Sequence, residues 1–512
     1  MGAKGSKGAK IDKKLLTSDT IDISGRMLTE FPKGIEKCIC SVLNATHNDF
    51  TTIPDEVFQI TNLEILTFSH NRITMIPNSI KMASNLRELY MERNNLFFDG
   101  IGEDIGECTN LQRLDLTGNK LESIPKEIGQ LMSLEYLNLT DNNLKTLPPE
   151  IGMLDRLQTL LLTKNSVRKL PSEIGNLRNL YELDLSNNQM DLLPEELGNL
   201  LSLKILRIGF NKLSGNIDVL TNFKFLVELD CQSNQGITEL PPLDTLQNLT
   251  KLVVRNLPVV EIPGLASLRM LCELNVRDNS KMNGIPDEVF EIVSLQRLDF
   301  VGCNMTCLPE AVTNLTNLNT LELGHNSLGN DSFPEGISTL TNITKFGCNT
   351  NQISNYPKCL CDLTSIVELD VSNNLMVELP DEFCELTNVQ NLTIAGNRLN
   401  KLPDALGKMI SVTYLDARNN RLKALPGSIG DLRQLNRLEL TQNMIATLPV
   451  EMGNLDGILQ TIDLANNPLV VPPKEIVLKG PHDICKYLKD NESVLRNNVV
   501  SGLDAPGAAS AK

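Results

Sequence analysis

An asparagine recurs along this chain every 23 residues, at Asn119, Asn142, Asn165, Asn188 and Asn211, each closing the same run, L-x-x-L-x-L-x-x-N. One copy reads Leu134, Leu137, Leu139 and Asn142. The column runs back through Asn94, Asn71 and Asn48, and forward through Asn234, Asn279, Asn326, Asn351, Asn374, Asn397, Asn420, Asn443 and Asn467. Leu257 and Cys303 hold the position in two registers, and a degenerate first copy around Ile21 and Ile23 has Arg26 there, which gives about 20 copies. Such self-similarity overrides the usual inference from 512 residues to several separate domains. Leucines two apart put one face of a short strand into a core, while the asparagine amide satisfies backbone groups at the turn that follows. No copy could bury its apolar face alone.

The second half of each copy reads L-P-x-E-I-G-x-L, as at Leu147-Pro148-Pro149-Glu150-Ile151-Gly152. Proline can open a helical turn, and isoleucine and leucine return to the core. The pattern predicts an α/β fold, a leucine-rich-repeat solenoid of about 20 repeats of about 23 residues, with a parallel inner sheet and short helical or 3-10 turns on the convex side. Twenty strands at about 4.8 Å give an inner sheet on the order of 90 Å long, a surface for large partners. The array is expected over residues 15–467, after a basic tail at 1–14. A helical cap over 468–497 follows, with Ile484, Tyr487 and Leu488 on one face, and then a tail without fold over 498–512.

The chain carries 47 basic and 63 acidic residues, a net charge of -16, and no tryptophan, which argues against nucleic-acid binding. No apolar run is long enough to span a bilayer, and the first residues lack the apolar core of a secretory signal. Scattered cysteines, 12 in all, suit a reducing compartment, so a cytoplasmic location is expected. Met1-Gly2-Ala3-Lys4-Gly5-Ser6 fits the acceptor pattern for N-myristoylation at Gly2. Lys4, Lys7, Lys10, Lys13 and Lys14 against Asp12 make the first fourteen residues +4 and leave -20 for the rest. A lipid beside a basic patch can hold a protein reversibly on the anionic inner leaflet of the plasma membrane. The alternative is a lysine-rich tail that only keeps the end soluble.

Four positions before each asparagine lies a residue expected to face solvent on the inner, concave sheet. That column holds Asp115, Asp184, Asp230, Asp299, Glu322, Asp370, Asp416, Glu439 and Asp463 against one basic residue, Arg207. Repulsion where neighbours are both acidic, as at Asp416 and Glu439, would be relieved by a partner with a basic or mixed-charge surface. The competing reading is that aspartate is polar filler on an exposed sheet. Six before the asparagine the signs alternate, as in Glu88, Arg113, Glu182, Glu228, Lys251, Glu273, Arg297, Lys345, Glu368 and Arg437, which predicts local pairing. Two insertions, Leu96 to Gly106 with Phe97 and Phe98, and Leu328 to Pro334 with Phe333, stand out as partner loops; otherwise their phenylalanines pack into the core.

No chemistry is legible. His47, His70, His325 and His482 are scattered, and Cys303 with Cys307, or Cys359 with Cys361, lack a second pair at zinc spacing. Neither a phosphate loop nor a nucleophile elbow occurs, so no enzyme, metal or cofactor is expected.

The L-P-x-E-I-G repeats, and the end Ile476-Val477 and Lys479-Gly480 followed by Ile484 and Tyr487-Leu488-Lys489, resemble the Ras-group leucine-rich-repeat scaffold family of suppressor-of-clear type. The Met1-Gly2 start, Arg255-Asn256-Leu257 and the end Val500-Ser501-Gly502-Leu503 are similar to its amoebal members. The resemblance implies a non-enzymatic scaffold of intracellular signalling that binds a Ras-type small GTPase, linked in the amoebal group to cytoskeletal remodelling and directed cell movement. It also implies a phosphatase catalytic subunit as a further partner, but the R/K-x-V/I-x-F docking motif is absent from this chain. The other reading is a regulatory adaptor for a phosphatase or a cytoskeletal protein without GTPase binding.

Overall fold

Alternating leucines do make strands, though very short ones. The computed structural model describes residues 17–98, 100–215, 217–282 and 284–501, with side chains through Arg496. Among them are twenty strands of three residues, each running from six to four positions before the asparagine column. They divide between two compact units that part between Met270 and Leu271, eleven strands in the first and nine in the second. Within each unit successive strands pair in parallel without slippage, so that Leu114, Leu137, Leu160 and Leu183 stand side by side. These leucines are fully buried, as are Leu139, Leu144 and Ile151, which close the same core from the strand, the turn and the opposite side.

The asparagine joins one repeat to the one before it. The Asn142 amide Nδ2 donates to its own repeat at the Leu139 carbonyl (3.0 Å) and to the preceding repeat at the Leu116 carbonyl (3.0 Å). Its Oδ1 accepts from the Leu121 backbone N–H at 3.1 Å. The same bonds recur at Asn165, Asn188 and Asn211, and in the second unit at Asn374, Asn397 and Asn420. Cys303 keeps half of this function, its thiol donating to the Val276 carbonyl at 3.2 Å, whereas Leu257 brings burial without a donor. The residue before the column is left-handed in every repeat, from Gly25 and His47 to Asn466. That conformation reverses the chain at the strand end and brings the amide inward, at a cost that glycine and asparagine bear most easily.

On the side opposite the sheet a proline stands just before the 3-10 turn in most repeats and supplies its first acceptor, as when the Ile151 N–H donates to the Pro148 carbonyl (3.1 Å). Successive turns pack so closely that a Cβ on Gly129 would lie 2.5 Å from the Glu150 carbonyl oxygen. A Cβ on Gly152 or Gly175 would strike the next glutamate in the same way. This close approach is why the motif is E-I-G. A second asparagine series, nine positions before the first, ties the entry edge of the sheet: Asn85, Asn110, Asn179 and Asn248 donate to carbonyls of the preceding repeat at 2.7 to 2.8 Å. Asn317, Asn342 and Asn388 do so in the second unit.

At the end of the array α1 (Lys474–Val477), α2 (Pro481–Asp490) and α3 (Glu492–Ser501) follow. Helix α2 covers the last 3-10 turn, Val450–Leu455, and buries Ile484, Cys485 and Leu488. Cys485 takes the place expected for Tyr487, which is half-buried. Helix α3 continues to Ser501, past the boundary at 498 where structure was expected to stop.

Replacing Asn142 by alanine leaves a buried N–H of Leu121 and two buried carbonyls without their side-chain partner. The expected loss is about 2 kcal/mol of unfolding free energy in denaturant titration, and a change within experimental error would refute the bridging role.

Candidate functional site

The acidic column lies along the open side of the sheet, but Asp115, Asp416 and Glu439 are buried where the pattern predicts exposure, and all seven aspartates have work within the fold. Oδ1 of Asp115, Asp184, Asp230, Asp299, Asp370, Asp416 and Asp463 each accepts from the backbone N–H two residues on, at 2.9 to 3.1 Å. Asn44, Asn138 and Asn275 accept the same bond in the same column. The N–H freed where the strand ends therefore selects a short side chain with an acceptor oxygen, and charge is incidental to that bond.

Repulsion between Asp416 and Glu439, adjacent by register, is not left to a partner as the sequence suggested. Arg418 grips Asp416 through two bonds of 2.9 and 2.7 Å, and Arg437 holds Glu439 at 2.7 Å. Arg207 lies between Asp184 and Asp230 and bonds Glu182 at 2.6 Å and Glu228 at 2.9 Å. Lys345 spans Glu322 (3.3 Å) and Glu368 (3.5 Å), and Arg297 lies 3.6 Å from Glu273, so the alternating column pairs locally. Arg113 instead stacks over Tyr136, 3.5 Å from its ring centre, and its buried Nε has no hydrogen-bond partner among the described residues.

In the second unit these groups converge. Asp299, Glu322 and Asp370 line one open groove of about 650 Å³ together with Arg277, Arg297 and Lys345. Burial raises the Glu322 carboxyl against the pull of Lys345, and in the first unit it raises Asp230 against the bonds from Gln232. Asp115, Asp416 and Glu439 are nearly inaccessible, and Asp463 is exposed at the end of the array. The column is thus a set of local environments, and around Asp299, Glu322 and Asp370 acids and cations share one groove.

The two insertions part ways. Phe97 and Phe98 are each 57% exposed, so that loop presents its rings to solvent. Phe333 is buried against Phe346, 6.2 Å between ring centres, which is the packing alternative. None of the twelve cysteines forms a disulfide and nine are buried, with burial pushing thiols such as Cys40 up to about 11. His47, His70 and His325 occupy left-handed turn positions, the first two with rings stacked 4.1 Å apart. Among the described residues no group of three or more His, Cys, Asp or Glu is placed to hold a metal ion, and no helix is long and apolar enough to cross a membrane. Gly2, Lys4, Lys7, Lys10, Lys13 and Lys14 lie outside the described residues.

The pattern of a leucine-rich repeat region matches residues 101–218, and that of a leucine rich repeat matches 41–96 and 387–445. A leucine-rich-repeat protein of Leptospira interrogans is 30% identical, with a TM-score of 0.61 over 81% of this chain and 93% of its own. The chain belongs to the leucine-rich-repeat family. The repeat ectodomain of the receptor kinase GASSHO1/SCHENGEN3 from Arabidopsis thaliana, solved in complex with Casparian strip integrity factor 2, is 25% identical (TM-score 0.58) over 90% of this chain and 63% of its own. The curated uridine 5'-monophosphate transferase of Xanthomonas campestris pv. campestris is 33% identical over 87 residues, so the chain spans only 16% of that protein's length. Leucine-rich-repeat arrays are generally protein-binding scaffolds, their stacked strands offering an extended surface.

Glu92 lies on the same open face, its carboxylate bonded by the Ser69 hydroxyl, and burial raises it above the usual carboxylate range. A folded-state value above the unfolded one means that the ionised form is disfavoured by folding, so stability falls as pH rises through the folded value. Glu92→Gln, which keeps an acceptor for Ser69, is expected to raise the thermal midpoint at about pH 7 and to leave it unchanged near about pH 3. Equal midpoints of variant and parent at both pH values would count against this.

Proposed function

We propose that this chain is a non-enzymatic scaffold of intracellular signalling that captures a Ras-type small GTPase on the open sheet face of its repeats, and acts through it on the cytoskeleton and cell movement. The observation that carries the reading is the groove where Asp299, Glu322 and Asp370 stand among Arg297 and Lys345. Such a mixed-charge surface suits a folded protein with a complementary pattern, giving specificity and fast encounter. The resemblance of the L-P-x-E-I-G repeats and the terminal I-V-x-x-G segment supplies the class of partner.

The aspartates can be neutralised without removing their backbone bond, because asparagine already serves that bond at Asn44, Asn138 and Asn275. The combined variant Asp299→Asn, Asp370→Asn and Asp463→Asn is therefore expected to fold and to lose capture of purified Ras-type GTPases, with the parent retaining only the form loaded with a GTP analogue. Capture undiminished in the variant would remove the sheet face from the reading. Absence of capture in either nucleotide state would replace the GTPase by a phosphatase or cytoskeletal partner.

Myristoylation at Gly2 beside Lys4, Lys7, Lys10, Lys13 and Lys14 would hold the scaffold at the plasma membrane inner leaflet. Gly2→Ala is expected to shift the protein from the membrane to the soluble fraction of lysed cells. An unchanged distribution would discard the anchor.

A further inference from the structure

The asparagine series along the entry edge of the sheet is interrupted in the first unit over four of seven successive repeats. Asn110, Asn179 and Asn248 there hold carbonyls of the preceding repeat, but between them the same position is taken by Ser133, Arg156, Ser202 and Phe225. Phe225 stands where an amide would reach the Leu201 carbonyl, and it brings no donor. At this break lies an open groove of about 660 Å³ in which Leu201 is 68% exposed, Phe225 59% and Tyr181 43%. Three large apolar side chains gathered on one exposed surface are unusual for a soluble fold and mark interaction sites.

The charge of this groove runs against that of the chain. Arg156 and Lys204 line it with Glu135 as the lone acid, in a protein of net charge -16. Lys204 lies over the Tyr181 ring, 5.3 Å from its centre, and neither cation forms an ion pair among the described residues. An occupant must therefore offer an apolar side chain, carboxylates and backbone N–H donors together. An extended acidic peptide offers all three.

We propose that this edge groove binds an extended acidic segment of a partner protein, seating one large apolar side chain on Leu201 and Phe225 with flanking carboxylates on Arg156 and Lys204. The site is separate from the open sheet face, and its occupant is of opposite charge. The scaffold would then hold two partners of different chemistry at once.

The probe is a fluorescent synthetic peptide of about ten residues, alternating Asp and Glu around a central Phe-Leu pair. Controls replace its acids by lysine, or Phe-Leu by Ser-Ser. Fluorescence anisotropy with the full chain is expected to show binding of the acidic peptide and little of either control. Phe225→Ser should weaken it roughly tenfold, as loss of an anchor side chain does. Lys204→Glu should weaken it too and improve binding of the lysine peptide. Both substitutions fall on the surface, and an unchanged thermal midpoint verifies folding. Asp299→Asn with Asp370→Asn should leave the peptide affinity as it was, so failure here and failure of the GTPase reading are told apart. The proposal is overturned if the lysine peptide binds the parent as well as the acidic one, or if Phe225→Ser binds like the parent. It is likewise overturned if sedimentation shows a parent dimer that Phe225→Ser dissolves, since the groove would then belong to a second copy of the chain.

Discussion

In all but three repeats of these two units the stacking hangs on one amide. A strand of three residues forms too few ladder bonds to persist alone, and a proline-led 3-10 turn is no better. The asparagine makes the pair cohere, because its Nδ2 and Oδ1 bond both its own repeat and the one before, as Asn142 does with Leu139, Leu116 and Leu121. Buried amide bonds of this kind lock register where hydrophobic contacts alone would tolerate slippage. The leucine core then supplies the bulk of the burial, and the sheet face is left free of structural duty except at the strand ends.

The period, the burial of the leucines and the bridging asparagine were legible because each is written in a fixed spacing. Leu134, Leu137 and Leu139 lie where the pattern puts them, and Asn142 does what a buried amide must. What was not legible depends on distance between chain segments. Gly152 is glycine because the next turn, at Glu173, comes within reach of its Cα, and no single repeat reveals that. Asn179 and its relatives are visible as T-N-L and R-N-L, yet whether such an amide is filler or a bond to the preceding carbonyl depends on the stacking offset. Phe98 and Phe333 look alike in sequence, and only the surrounding packing sends one outward and the other inward.

The charged surface was half legible. The alternation of Arg and Glu in the outer column does pair, as Arg207 with Glu182 and Glu228 demonstrates. The aspartates of the column also serve as acceptors at their strand ends, a duty met equally by Asn138 and not readable from their charge. Charge is dispensable for that bond, as Asn138 demonstrates, though Asp416 and Glu439 are also held by Arg418 and Arg437. That latitude between aspartate and asparagine suits a binding surface, because charge can change while the backbone bond is kept.

The left-handed residue before each bridging position carries one more consequence. It persists at Asn256 and Gly302, where Leu257 and Cys303 have displaced the asparagine that elsewhere anchors it. At these two positions the residue is asparagine or glycine, which bear that conformation most easily, and the repeats on either side supply the stacking that surrounds it. Order in such an array spreads by copying from unit to unit, and a defective copy is carried along by the sound ones on either side. Leucine-rich arrays of this length can thus accumulate altered repeats, and with them new surfaces, while continuing to fold.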